Sequence, residues 1–132
     1  MNASAVATRA SDSILGRKEE LARAITDALY AGDPALSERF GEAGHAKCLQ
    51  DMCYCLEHLA PAVALNDPAL FARYVLWLKN LLAVRGIGSE DVRRSLEATQ
   101  GVLTQRLRPD EAACVLPCLQ AGLASLSHAI AP

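Results

Sequence analysis

The runs Tyr54-Cys55-Leu56-Glu57-His58-Leu59 and Phe71-Ala72-Arg73-Tyr74-Val75-Leu76-Trp77-Leu78-Lys79 hold the side chains best equipped for chemistry. They carry two of the three Tyr, one of the two Phe, the single Trp, a His, a Cys and two cations, in a chain only 5% aromatic. Such a concentration fits the lining of a pocket for a flat, conjugated, partly anionic ligand, with rings walling the π-system and cations meeting carboxylates. Tyr54, Cys55 and His58 are three and four residues apart, so on a helix they share one side. Trp77 has Arg73 and Tyr74 one turn before it and Leu81 one turn after, which sets a guanidinium beside an indole. Lys79 and Arg85 add cations to the same predicted helix.

Each of these signals has a plainer explanation. A lone His on a mostly apolar helix often bonds a backbone carbonyl, and an aromatic stripe at helical spacing is usually core packing. His45 with Cys48 and Cys55 with His58 form two His/Cys pairs, but ten residues of helix separate them by ~15 Å, too far to share one ion. Cys114 and Cys118 lack zinc-knuckle spacing. There is no Gly-rich phosphate loop, Gly-x-Ser-x-Gly or His-Glu-x-x-His, so no enzyme is expected.

Abundant Ala and Leu with few β-branched residues favour helix, and the chain reads as all-α. A first helix is expected from Ser11-Asp12-Ser13 to Gly32, carrying Ile14, Leu15, Leu21, Ile25, Ala28 and Leu29 at helical spacing. Asp33-Pro34 opens a second, which Gly41 and Gly44 interrupt. A third runs from about His45 to Asn66 with two apolar stripes, Leu49-Cys53-Leu56-Ala60-Val63 and Cys48-Met52-Cys55-Leu59, so it is central, and Pro61 should bend it. Asp67-Pro68 caps the aromatic helix, which stops at Gly86. Ser89 starts another with a core face of Val92, Leu96, Thr99, Leu103 and Leu107, and Pro109-Asp110-Glu111 starts the last. Asp33-Pro34-Ala35-Leu36 echoes Asp67-Pro68-Ala69-Leu70 at an offset of 34 residues, but two copies make no solenoid and shared helix-start chemistry explains them. Five to six helices on short turns imply a globin-like bundle.

At 132 residues the chain fits one domain. Met1 to Ala10 reads as a flexible tail and residues 11–132 as the domain. A net charge of -2 leaves no basic surplus for nucleic acid. Five Cys within helical patterns imply reduced thiols, and the absence of an apolar leader pattern implies cytoplasmic residence. Ala112 to Pro132 has no Lys, Arg, Asp or Glu, yet its Pro, Gln, Gly, Ser and His content points to a buried terminal helix rather than a membrane span.

Cys48-Leu49-Gln50-Asp51, Tyr54 to Leu59, Asp67-Pro68-Ala69-Leu70-Phe71-Ala72-Arg73-Tyr74-Val75-Leu76-Trp77 and Leu81-Leu82-Ala83-Val84-Arg85-Gly86 together resemble the helical domain of photoglobins. These are non-heme, globin-like sensor domains, and a similar domain precedes the cobalamin-binding module of photocobilins. The resemblance spans roughly Leu21 to Leu107 and is most specific over Phe71 to Trp77. It implies a biliverdin-type linear tetrapyrrole, a bilin, held in the globin pocket, with light absorption converted to a conformational change. Tyr54, Phe71, Tyr74 and Trp77 would wall the pigment, Arg73 and Arg85 would meet its propionates, and His58 with Cys55 would contact the pyrrole nitrogens. Cys55 and His58 stand where the family pattern has a His and an aromatic residue, so the nitrogen contact shifts by one turn, or Cys55 forms a thioether.

The leading expectation is therefore a bilin-binding photosensor domain without catalytic activity that signals through a separate output protein. The alternative is a ligand-free helical signalling module that forms a homodimer through its apolar terminal helix. Heme binding is weaker, because no proximal His is placed.

Overall fold

Ala7, Ala10, Ser11 and Ile14 recur as one helical face, and in the computed structural model, which describes residues 3–128, all four are buried. Among the described residues there are six helices and no strand: α1 (Ala3–Gly16), α2 (Lys18–Gly32), α3 (Ala35–Ala64), α4 (Pro68–Val84), α5 (Ser89–Arg106) and α6 (Pro109–His128). The expected all-α bundle is thus present, with six members.

Two expectations about the N-terminal region are corrected. The segment from Ala3 to Ala10 is not a tail but the first turns of α1, which packs on α3 and α6. Met1 and Asn2 lie outside the described residues. Arg9 binds Asp110 and, at 2.9 Å, the buried Glu111 at the start of α6, and Ser13 Oγ donates to Glu111 at 3.1 Å. The sequence reading missed this tie because the apolar positions Ala7 and Ala10 are small. The single helix expected from Ser11 to Gly32 is likewise two helices, separated at Arg17 (φ −116°, ψ 20°). The break gives α1 and α2 separate axes, so that Ile14 and Leu21 both reach the core without exposure.

α3 is central, as its two apolar stripes require, and packs against α1, α2, α4 and α6. Met52, Cys55, Leu56, Leu59, Ala60, Ala62 and Val63 are buried along it. It is broken at Gly41, whose φ of 65° and ψ of −164° no ordinary residue adopts easily. The helix resumes directly, and Gly44 lies within it. Asn66, in the left-handed region at φ 50°, ends α3, with Asp67 N–H bonded to Ala62 O at 2.9 Å and Asn66 N–H to Val63 O at 3.1 Å. The Asp67 carboxylate then accepts from Leu70 N–H at 3.3 Å, and Pro68 opens α4.

The expected core face of α5, from Val92 to Leu107, is buried throughout. α6 is buried by its own chain: Val115, Cys118, Leu119, Ser125 and Leu126 face inward, and α4 lies closely along it. Residues 129–132, part of the expected terminal helix, are outside the described residues. Among the described residues no helix is long and apolar enough to cross a membrane.

Candidate functional site

The ring-bearing helices α3 and α4 are antiparallel neighbours, and two contacts set their register. The His58 imidazole stacks on the Tyr74 phenol with centroids 4.2 Å apart and planes 12° apart, and Arg85 Nη1 lies 3.9 Å from Asp51 Oδ2 at the other end. Cys55, Leu59 and Ala62 of α3, with Phe71, Val75, Leu78 and Leu82 of α4, point into the core. On the opposite side Tyr54, His58, Pro61 and Leu65 recur every three or four residues, beside Arg73, Trp77, Leu81 and Val84, and all eight are exposed.

This arrangement separates the expected site residues into two groups. Phe71 is fully buried and is pressed against α6, where a Cβ built on Gly122 would come 2.9 Å from Phe71 Cε2. Tyr74 is buried under His58, and burial pushes its phenol well above the usual tyrosine range. Cys55 is also buried, and loss of solvation raises its thiol to about 12. Phe71, Tyr74 and Cys55 fill the space between the helices, so no hollow of tetrapyrrole size is enclosed there. A thioether through Cys55 has neither an accessible sulfur nor a thiolate to form it.

Tyr54, His58, Arg73 and Trp77 remain together on the outer face. Trp77 is 57% exposed and Tyr54 48% exposed, and the Tyr74 and Trp77 rings are 5.9 Å apart. His58 Nδ1 lies 2.8 Å from Tyr54 O; a carbonyl only accepts, so Nδ1 carries the proton and Nε2 is the nitrogen left for a ligand. Arg73 has no ion-pair partner among the described residues and stands one turn from Trp77. Arg85 is twelve residues further along α4, ~18 Å at standard rise, and is engaged with Asp51. Arg73 and Arg85 therefore cannot hold two neighbouring carboxylates.

Of the seven large hydrophobics exposed among the described residues, five (Tyr54, Leu65, Trp77, Leu81 and Val84) lie on this one face. Leu65 is 69% exposed and Val84 88%. Their clustering, rather than any single residue, distinguishes the face from an ordinary surface.

A second feature had no counterpart in the sequence reading. Where α2, the start of α3, the end of α4 and the start of α5 meet, a cavity of about 160 Å³ is walled mainly by apolar side chains, among them Leu29, Phe40, Met52, Leu82 and Val92. Its rim carries Lys47, Asp51, Asp91 and Arg94. The only signal in sequence was the pair Gly41 and Gly44, read as interruptions. A more open groove of about 460 Å³ adjoins it along α2 and α5, edged by Asp33, Arg94 and Glu97 and without a ring.

The His/Cys pairs hold no metal geometry: among the described residues no group of three or more His, Cys, Asp or Glu converges on one point. His45 instead meets Tyr30 edge-on at 4.8 Å and faces Asp27 at 3.8 Å. All five Cys are free. No family model, curated protein or solved structure matches the chain.

Proposed function

We propose that the chain is a non-catalytic sensor domain that takes a biliverdin-type linear tetrapyrrole on the outer face of the α3–α4 hairpin and signals through a separate protein. The observation that carries this reading is the row of Tyr54, His58 and Trp77 on one exposed face, with Arg73 beside it. A flat pigment laid on that row removes apolar ring area from water, worth about 25 cal/mol per Å². His58 Nε2 supplies one hydrogen-bonding group for pyrrole nitrogens, and Arg73 one cation for a propionate. The photoglobin resemblance of the Phe71–Trp77 block favours a bilin over other flat ligands.

An open face covers only one side of a pigment. The other side needs a cover, and the output protein is the natural candidate in a cytoplasmic signalling pair. Isomerisation of an outer ring would then change the packing between pigment and cover.

The test is titration of biliverdin into the purified protein. A bound, red-absorbing band that changes on illumination, is lost in Trp77→Ala and is released by acid urea supports the reading. An unaltered free-pigment spectrum with the folded protein defeats it.

A second reading is favoured by Leu65 and Val84, which extend the apolar face beyond both ends of the ring row. The face would then be a protein contact formed without pigment, giving a homodimer in scattering experiments. The terminal helix is not the contact in that case, because α6 is spent on α4 and the core.

A further inference from the structure

We propose that the cavity between α2, α3, α4 and α5 is a binding site for a small, neutral, apolar molecule of single-ring size. Its volume of about 160 Å³ is close to that of an engineered cavity of ~150 Å³ in another protein, which stays dry and binds benzene or xenon. It is well below the ~300–1,000 Å³ typical of sites for drug-sized ligands, so a tetrapyrrole does not fit within the cavity itself.

Backbone features hold this space open. Gly41 at φ 65° turns Phe40 back across Gly44, where a Cβ would come 2.1 Å from Phe40 Cβ, so glycine is required at both positions. At the far wall Gly86, at φ 79°, ends α4 with Ile87 N–H bonded to Leu82 O and Gly86 N–H to Ala83 O, both at 3.0 Å. That turn lays Ile87 against the cavity beside Leu82. Apolar walls held apart in this way forgo dispersion contacts that an apolar guest restores.

The rim sets the charge of the guest. Asp51 faces Lys47 at 3.7 Å and Arg85 at 3.9 Å, Asp91 faces Arg39 at 3.5 Å, and Arg94 faces Asp33 at 3.2 Å. Each charge at the mouth already has an opposite partner, so none remains to offset the desolvation of an ionic ligand. The site is separate from the outer face of the hairpin: Leu78 and Leu82 look into it, whereas Trp77 and Leu81 look away.

Met52 lines the cavity and is one of only two methionines, so a methyl-labelled methionine spectrum of the full chain has a built-in reporter. Benzene is expected to shift the Met52 methyl signal upfield in a saturable way and to leave Met1 unmoved. Xenon should also shift Met52 saturably, and Cys48→Leu, which adds bulk at the wall, should lose the benzene effect while keeping its helical circular dichroism. A Met52 signal that stays fixed with both guests overturns the proposal, as does one that drifts without saturation. If Cys48→Leu does not fold, the xenon result in the unmodified chain decides. Biliverdin should leave Met52 in place whether or not it binds the outer face, so the two proposals fail separately; a Met52 response to biliverdin overturns the size limit.

Discussion

The His58 imidazole lies flat on the Tyr74 phenol, 4.2 Å between centroids, and this stack closes the seam between α3 and α4. Ring pairs of this kind contribute about 0.5–1.5 kcal/mol beyond the area they bury. His58→Ala should destabilise the fold by roughly that amount, and His58→Phe should recover most of it. Urea denaturation followed by circular dichroism measures both. Equal stability of His58→Ala and the parent would show that the stack contributes nothing.

Thiol labelling reads the depth of each Cys. Cys48, Cys53 and Cys114 are partly accessible, whereas Cys55 and Cys118 are buried, their thiols raised by burial to about 12 and about 11. A small alkylating reagent at neutral pH should modify at most three sites in the folded protein and all five in denaturant, as counted by mass spectrometry. Rapid native modification of Cys55 would reopen the covalent pigment attachment that burial argues against.

At Gly122 α6 comes close to α4: a Cβ there would meet Phe71 Cε2 at 2.9 Å and Val75 Cγ2 at 3.0 Å. Phe71 is a stiff, fully buried ring. Gly122→Ala should therefore cost about 1–3 kcal/mol as an overpacking change, despite the better helix propensity of Ala. A melting temperature equal to or above that of the parent would refute the close packing.

Asp51 couples pH to stability through its partial burial, which raises its carboxyl above the usual range against the opposing pull of Lys47 and Arg85. A raised carboxyl favours the folded state while it is protonated, below its unfolded value. That contribution is lost as pH rises through the folded value. Asp51→Asn should thus raise the melting temperature at neutral pH and flatten its dependence on pH just above the ordinary aspartate range. A lower melting temperature in the variant at pH 7 would mean that the Lys47 and Arg85 contacts outweigh the desolvation of Asp51.

Local chemistry in the chain was enough to place most of the helices. Asp67-Pro68 caps α4 and the glycine at Gly86 ends it, each through backbone groups within a few residues. The faces of α3 and α5 follow from apolar spacing, because a central helix must bury both stripes and a peripheral one only one. The break at Arg17 was not legible, since the apolar rhythm continues across it and only the separate packing of α1 and α2 on α3 calls for two axes. The start of α1 was missed for a related reason: its anchors are two alanines and an arginine whose partners, Asp110 and Glu111, lie about a hundred residues away.

The sequence by itself determined an all-α chain, the starts of α4, α5 and α6 and the gathering of Tyr54, His58, Arg73, Tyr74 and Trp77 on two consecutive helices. Helical period and helix-end signals are local, so they survive without knowledge of neighbours. Only the tertiary structure decided which side of those helices meets the core. Placing α6 against Phe71 turned Phe71, Tyr74 and Cys55 inward and left Tyr54, His58 and Trp77 outside, so the expected enclosed pocket became an open face. The cavity under Phe40 likewise needs four helices to converge around the turn at Gly41, an arrangement no single stretch of sequence encodes.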